Sequence, residues 1–380
     1  VSVFKISCYT CFDKYFNEHI VMIFKKIITS IVLILVLSNT FSQTLVINEL
    51  DSLTKKNGDL SFGLKNSNFF KDNEYFNKIV EGYTLVGFWI TPYLNYKISD
   101  NDEISVGAHL IHFSGRDKLY KIQPVLSFTH NFLPFFLITI GTIDNSNNHY
   151  LIPPLYDSEA FYFNQADNGI QILYNSDAIR NDTWLSWDKF IFYGDTTQEE
   201  LTFGHSSRYT LINDSKLNMN LKINTIAKHK GGQINRPKKP IETLLNLGGS
   251  IEFAYCFDVP FLYQLSVEPF FCYYMKPTSY ESQPFNKGWA FYPSVRWSIS
   301  KNICLQSSYW YSNKFITARG ERIFNSVAVL DNNYFETMRK MIINKIVFFK
   351  KFGGGVELNA GIEAYYLNNE YLLDYNFYFQ

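Results

Sequence analysis

The chain has 380 residues with 35 basic and 35 acidic side chains, a balance that removes any charge-driven case for a nucleic-acid partner. Hydrophobic residues make up 46% and the mean hydropathy is −0.12. That excludes a bundle of helical membrane spans, each of which needs a run of about 20 apolar residues.

One segment is continuously apolar, Ile27 to Leu37, with Lys25 and Lys26 before it and Asn39-Thr40-Phe41-Ser42 after it. A basic start, an apolar core of about 7–15 residues and a small residue at the end make a secretory signal. We expect residues 1–21 to be an upstream extension, residues 22–42 to be the signal peptide with Met22 as its start, and residues 43–58 to be a short periplasmic lead-in. The CxxC of Cys8 and Cys11 falls in the upstream extension and is set aside. Residues 59–380 are expected to form the body of the protein.

From Asp59 onward the pattern has period two, which means strands with one apolar and one polar face. Sixteen strands are predicted, at about 59–69, 82–98, 103–114, 119–130, 134–143, 168–175, 183–193, 199–212, 217–229, 243–256, 262–275, 288–299, 303–313, 335–349, 354–367 and 371–379. Each approaches or exceeds the roughly 9–11 residues that a tilted strand needs to cross a bilayer. Met219, Leu221 and Ile223 alternate with Asn218, Asn220, Lys222 and Asn224; Val267 and Phe271 alternate with Glu268 and Cys272. Phe135 to Ile138 and Phe190 to Tyr193 are apolar on both faces and are expected to pack on a plug, a folded-in loop or a subunit interface.

The connections sort by parity. Even-numbered ones are short, such as Ser99 to Asp102 and Asn213 to Lys216. The long ones, at 70–81, 144–167, 230–242, 276–287 and 314–334, are all odd-numbered. A membrane barrel has a reason for this, because its periplasmic turns are short and its outer loops long. In hydrocarbon every backbone N–H and C=O must be paired, so a strand protein must close on itself. The fold expected is all-β, a transmembrane antiparallel up-and-down β-barrel of about sixteen strands, with fourteen as the fallback. It would sit in the outer membrane with both termini periplasmic. Aromatic residues are 18% of the chain, with 27 Tyr and 35 Phe, as interfacial girdles require. A soluble barrel with its apolar set inside remains the alternative, since alternation alone does not say which face is buried.

Several stretches carry a resemblance. These are Asn73-Glu74-Tyr75-Phe76 through Gly82-Tyr83-Thr84-Leu85, Asp182-Thr183-Trp184 through Trp187 and Phe190, and His229-Lys230-Gly231-Gly232-Gln233. With the signal segment, they make the chain resemble an uncharacterised family of Gram-negative outer-membrane β-barrels. The resemblance implies fold and location and carries no assigned activity.

On this reading Lys222, Glu252, Glu268, Arg296, Glu357, Glu363 and Asp374 face a polar lumen. His229, Lys230 and Gln233 open an outer loop whose glycines free the backbone and whose donors suit a sugar or an anion. Tyr156 and Tyr162 in the loop 144–167 are expected to form a constriction or a ligand platform, because a loop this long in a compact fold is usually functional. Arg319 and Arg322 would bring charge to the same mouth. His205 and Ser207 share the parity of Leu201 and Phe203 and so face lipid, where some barrels hydrolyse phospholipids. Residues two apart on a strand are too distant for an ideal Ser–His pair, however, and no orienting group is evident. His109 and His112 lie on opposite faces, and no metal or cofactor is expected. Cys256 and Cys272 either pair or remain free thiols.

The function expected is a passive channel or transporter for a small polar solute. The alternatives are a non-conducting subunit of an envelope complex with a protein partner and, last, a lipid-hydrolysing barrel. No enzymatic role is expected. Outer-membrane lipids are the expected surroundings.

Overall fold

A computed structural model describes residues 56–380, apart from 76, 146–147, 164–165, 233–239, 260, 279–282, 332, 368–369 and 380, with the side chains of 144 and 370–379 also outside the description. The signal segment, the lead-in up to residue 55, and Gln233 therefore lie outside the described residues.

The alternating stretches form sixteen antiparallel strands that close into one barrel. They are β1 (Leu60–Glu74), β2 (Thr84–Lys97), β3 (Asp102–Phe113), β4 (Lys121–Leu133), β5 (Phe136–Asp144), β6 (Ala166–Asn175), β7 (Ile179–Lys189), β8 (Glu200–Asn213), β9 (Leu217–Lys230), β10 (Glu242–Val259), β11 (Leu262–Met275), β12 (Lys287–Ser298), β13 (Ile303–Asn313), β14 (Met338–Lys351), β15 (Glu357–Leu367) and β16 (Glu370–Phe379). Each strand pairs with its sequence neighbours, and β1 closes on β16 from Asn68↔Phe379 to Glu74↔Leu373. The terminal hairpin β15–β16 thus supplies the closing seam.

The two faces separate cleanly. On β11, Ser266, Glu268, Phe270 and Cys272 turn inward and are buried, while Val267 and Phe271 are exposed. Around the wall Phe62, Val106, Leu126, Ile170, Phe253, Val295 and Ile346 are exposed in the same way. A closed sheet with an apolar outer surface suits hydrocarbon, where no backbone group can be left unpaired. Among the described residues no helix is long and apolar enough to cross a membrane.

Short turns gather at one end of the barrel and long loops at the other. The described residues of two of the long loops, 148–163 in one and 314–331 with 333–337 in the other, fold back into the lumen as a plug. The first carries a 3₁₀ turn (Asn148–Tyr150) and a short helix, α1 (Ala160–Phe163); the second carries a 3₁₀ turn (Arg322–Phe324). Leu155, Tyr156, Phe315 and Phe324 are buried. They pack on inward aromatics of the wall, with Trp310 lying 5.3 Å from Phe315 and 4.9 Å from Phe324 between ring centroids. Both loops contribute buried aromatics to this interior, Tyr156 from the first and Phe315 and Phe324 from the second.

One departure from the expected pattern follows from this plug, and a second lies apart from it. Phe270, Tyr274, Tyr292 and Trp310 are large and apolar, yet they sit on the inward face because the plug gives them something dry to pack against. The apolar run after β7 is not strand: β7 ends at Lys189, and Phe190, Phe192 and Tyr193 stand 63%, 73% and 77% exposed at the loop end. Ile191, between them, is buried. Cys256, Cys272 and Cys304 are free thiols.

Wall side chains pin the plug by its backbone. Buried Asn246 on β10 donates to the Ile316 carbonyl at 2.9 Å and accepts from the Ala318 amide at 2.7 Å. Arg339 on β14, fully buried, donates to the carbonyls of Ile323 and, at 2.7 Å, Asn325. Each buried backbone group left unpaired costs about 1–3 kcal/mol. Asn246→Ala is therefore expected to weaken docking of the loop by about 2–4 kcal/mol for the two bonds lost. Hydrogen exchange at the Ala318 amide, compared with amides of the wall, measures it.

Candidate functional site

Three places in the barrel carry clustered chemistry: the seam between plug and wall at the loop end, the inner wall beneath it, and a polar island on the outer wall.

At the loop end the two plug loops and the wall enclose a cavity of about 600 Å³, lined among others by Lys71, Tyr83, Asp157, Glu159, Glu321 and Arg322. Lys71 lies 3.0 Å from Glu159, Asn73 donates to the same carboxylate at 3.0 Å, and the Tyr83 hydroxyl also donates to it. Ser158 donates to Glu321 across the seam. The backbones interlock as well, the Asp157 amide donating to Arg319 at 2.8 Å and the Glu321 amide to Pro153 at 2.9 Å. Arg319 bridges plug to wall, lying 2.6 Å from Asp167 and 3.0 Å from Asp188, with its guanidinium over the Tyr156 ring at 5.2 Å. Burial opposes the charged form of Glu159, but Lys71 and the surrounding donors hold it below the usual carboxylate range. Burial pushes Asp157 up to about 6, aided by the neighbouring Glu159, and pushes Glu321 up to about 8.

Beneath the plug, His149 lies against Trp184 with ring centroids 3.7 Å apart and its Nδ1 is 2.9 Å from Asp182. Gln171 donates to both oxygens of Asp182, and the Ser206 hydroxyl donates to the His149 carbonyl at 2.6 Å. His149 and Asp182 have no solvent exposure. The group contains Ser, His and Asp, yet it fastens the first plug loop to β7 and β8. Gly204 is what admits it, because a Cβ there would overlap the Trp184 indole.

The inner wall carries charges in register. Lys222 lies 3.1 Å from Glu252 and 2.9 Å from Glu268, and Lys345 pairs with Glu363. Arg296 reaches Gln306 at 3.3 Å, and Glu357 lies 2.6 Å from Lys351 at the turn end. The Asp374 side chain is outside the described residues. Of the loop candidates, His229 and Lys230 are the last two residues of β9; His229 is bonded to Thr243 at 2.9 Å, and Lys230 lies 3.9 Å from Glu200. Tyr156 and Tyr162 are buried in the plug. Arg322 lines the loop-end cavity with Lys71 and the carboxylates.

The polar island lies on β7, β8 and β9, facing out. The register sets Asn181 opposite Ser207, Thr183 opposite His205, and His205 opposite Thr225. Phe203, of the same parity, is exposed. His205 Nδ1 and Thr183 Oγ1 share a hydrogen bond of 2.7 Å, so the imidazole has the orienting partner that sequence spacing did not reveal. Ser207 donates to the Ile223 carbonyl at 3.4 Å. Chemically this is an oriented imidazole and, two residues along the same strand, a hydroxyl that is only 4% exposed.

The model of a family described as lipid A 3'-O-deacylase-type matches residues 52–380. Among solved structures, a BenF-like porin from Pseudomonas fluorescens Pf-5 is similar at 8% identity with a TM-score of 0.50, covering 84% of this chain and 97% of that one. OccK2 (OpdF) from Pseudomonas aeruginosa, in complex with glucuronate, is similar at 7% identity with a TM-score of 0.50, covering 86% and 97%. A loop-deletion mutant of OmpT from Vibrio cholerae is 9% identical with a TM-score of 0.49, covering 84% and 98%. No curated protein sequence matches significantly. At these identities the structural likeness is one of fold, that of outer-membrane barrels. The expectation of a chain with no enzymatic role is overturned, because the matching family is named for a deacylase.

The carboxyl groups of the seam give a pH dependence of defined sign. A carboxyl whose pKa is raised in the docked plug binds its proton more tightly there, so it favours docking most at low pH and loses that effect as pH rises through the raised value. With Glu321 near 8, trypsin cleavage at Arg319 and Arg322, normalised to a denatured control at each pH, is expected to accelerate as pH rises through about 8. Glu321→Gln is expected to flatten the profile.

Proposed function

The chain belongs to the lipid A 3'-O-deacylase-type family, and from that premise we propose that it is an outer-membrane barrel that cleaves an acyl ester of a membrane lipid at the outward face of β7, β8 and β9. The observation that carries the reading is the hydrogen bond between Thr183 and His205, two residues from Ser207 on the same face. A hydroxyl becomes a nucleophile when an oriented base stands beside it. With Nδ1–H donated to Thr183, Nε2 of His205 is the base. Ser207 rotates away from the Ile223 carbonyl and its Oγ attacks the ester carbon while the proton passes to Nε2 through one bridging water, because residues two apart on a strand are too distant for a direct bond. Collapse of the intermediate expels the lipid alkoxide, which takes that proton. Water, deprotonated by the same Nε2, then attacks the acyl-serine; the bond to Ser207 Oγ breaks, Oγ takes the proton back from Nε2, and the fatty acid leaves. The apolar wall on either side, including Phe203 and Ile223, supplies the surface along which an acyl chain would lie. The loop end faces outward on this reading, with both termini on the periplasmic side.

A second reading, passage of a small polar solute, is favoured by the polar inner face and by two cavities, of about 360 Å³ beside Lys65, Gln171 and Thr139, and about 380 Å³ beside Glu268, Arg296 and Lys345. The buried plug weighs against steady conductance. Planar-bilayer recordings of the full chain beside a variant lacking residues 314–337 test it, and equal, negligible conductance in both would sink it.

Mass spectrometry of lipid A from membranes holding the protein tests the first reading. Loss of an acyl chain is expected, abolished in Ser207→Ala and His205→Asn by a factor on the order of 10³ or more. Thr183→Val is expected to slow the reaction about tenfold, the worth of one hydrogen bond, and Thr183→Ser to restore it. An unchanged acyl pattern with the wild-type chain refutes the activity. Full activity of Ser207→Ala refutes the residue assignment.

A further inference from the structure

We infer that the inner wall of β7 and β8 holds a binding site for a small oxyanion, phosphate or carboxylate, formed by Arg180 and Arg208 beneath the plug.

The inference starts from register. Arg180 stands directly opposite Arg208, and Arg208 directly opposite Lys222. All three share the parity of residues turned inward and buried on these strands, such as Asp182, Trp184 and Ser206. Residues directly opposite across an antiparallel pair have Cβ atoms about 4.5–5.5 Å apart, and like charges there are destabilising. Three cations in a row on one inner face need an explanation.

Lys222 has one, since Glu252 and Glu268 lie within 3.1 Å of its ammonium. The arginines do not. Among the described residues neither guanidinium has an ion pair or a side-chain hydrogen bond, and the Nε of Arg208 is buried without a partner. The carboxylates that could have served are engaged elsewhere: Asp182 with His149 and Gln171, Glu252 with Lys222 and Asn220. Arg180 is held in place by an aromatic ring, its guanidinium 3.6 Å above Tyr150 at the end of the 3₁₀ turn of the plug. A stacked guanidinium keeps its in-plane N–H groups available, and those groups match the oxygens of carboxylate or phosphate in pairs.

The arrangement is two neighbouring, half-buried donors of the same sign, Arg180 held by the Tyr150 ring, with Asp182 and Glu252 offsetting their repulsion only in part. An oxyanion between them replaces one repulsion by two charge-assisted contacts. The ring of Tyr150 makes this site a product of the docked plug, so occupancy and docking favour each other. The proposal is independent of the outer-wall chemistry, because it uses the opposite face of the sheet.

Isothermal titration of the detergent-solubilised full chain with inorganic phosphate, with matched sodium chloride as the ionic-strength control, tests it. Saturable phosphate binding is expected in the wild type, weakened at least tenfold in Arg180→Gln and in Arg208→Gln and unchanged in a variant of the exposed Lys118, Lys118→Gln. Thermal unfolding adds a sign that a merely structural arginine would not give. In phosphate-free buffer Arg208→Gln should be at least as stable as the wild type, and phosphate should raise the Tm of the wild type and not of Arg208→Gln. Acetate in place of phosphate tells carboxylate from phosphate preference. Phosphate heats no larger than those of chloride, or equal binding in all four proteins, overturns the site. So does an Arg208→Gln variant that unfolds below the wild type without phosphate.

Discussion

The structure depends on one obligation, that every strand hydrogen bond be made within the wall. A sheet facing hydrocarbon has no solvent to complete an edge, so β1 must find β16. The seam runs from Asn68↔Phe379 to Glu74↔Leu373. Once closure is imposed, the rest of the wall follows with few choices. Alternation turns Val267 and Phe271 out and Glu268 and Cys272 in, and the short turns and long loops fall on opposite ends.

Closure creates a second problem, which is the interior. A sixteen-strand barrel is too wide to be filled by its own inward side chains. Here the loop end is filled by two loops that lock to each other through Asp157, Arg319, Pro153 and Glu321 and to the wall through Asn246 and Arg339. The consequence for function is a division of labour between surfaces. The outer wall is apolar and carries Ser207, His205 and Thr183; the inner wall packs on the plug at the loop end. Activity on a membrane lipid and a closed lumen are compatible, because a substrate that dissolves in the bilayer reaches the wall from the side.

Much of the wall was legible in the sequence because period two is a local property. Sixteen strands were placed from alternation and turn residues, and the sorting of loop lengths gave the two ends. What alternation could not carry was anything decided by residues far apart. Phe190, Phe192 and Tyr193 have the composition of a strand, and only the end of β7 at Lys189 shows that they belong to a loop. Trp310 and Tyr292 break the polar-inward pattern because they pack on Phe324, which belongs to a different stretch of chain. For the candidate site, Ser207 and His205 were visible as a spacing, and their outward direction followed from parity. Thr183 was not visible, since it meets His205 only through the pairing of β7 with β8. The Arg180–Arg208 opposition was hidden for the same reason, as register is set by the turn and not by either strand alone.

The contact between the Asp157 amide and the Arg319 carbonyl joins two segments that lie on different parts of the circumference. Neither loop can meet the other until the strands between them have paired, since the ordering of so long an intervening chain has no earlier compensation. Assembly therefore has a direction in time: the cylinder forms first, briefly hollow, and its stopper seats last.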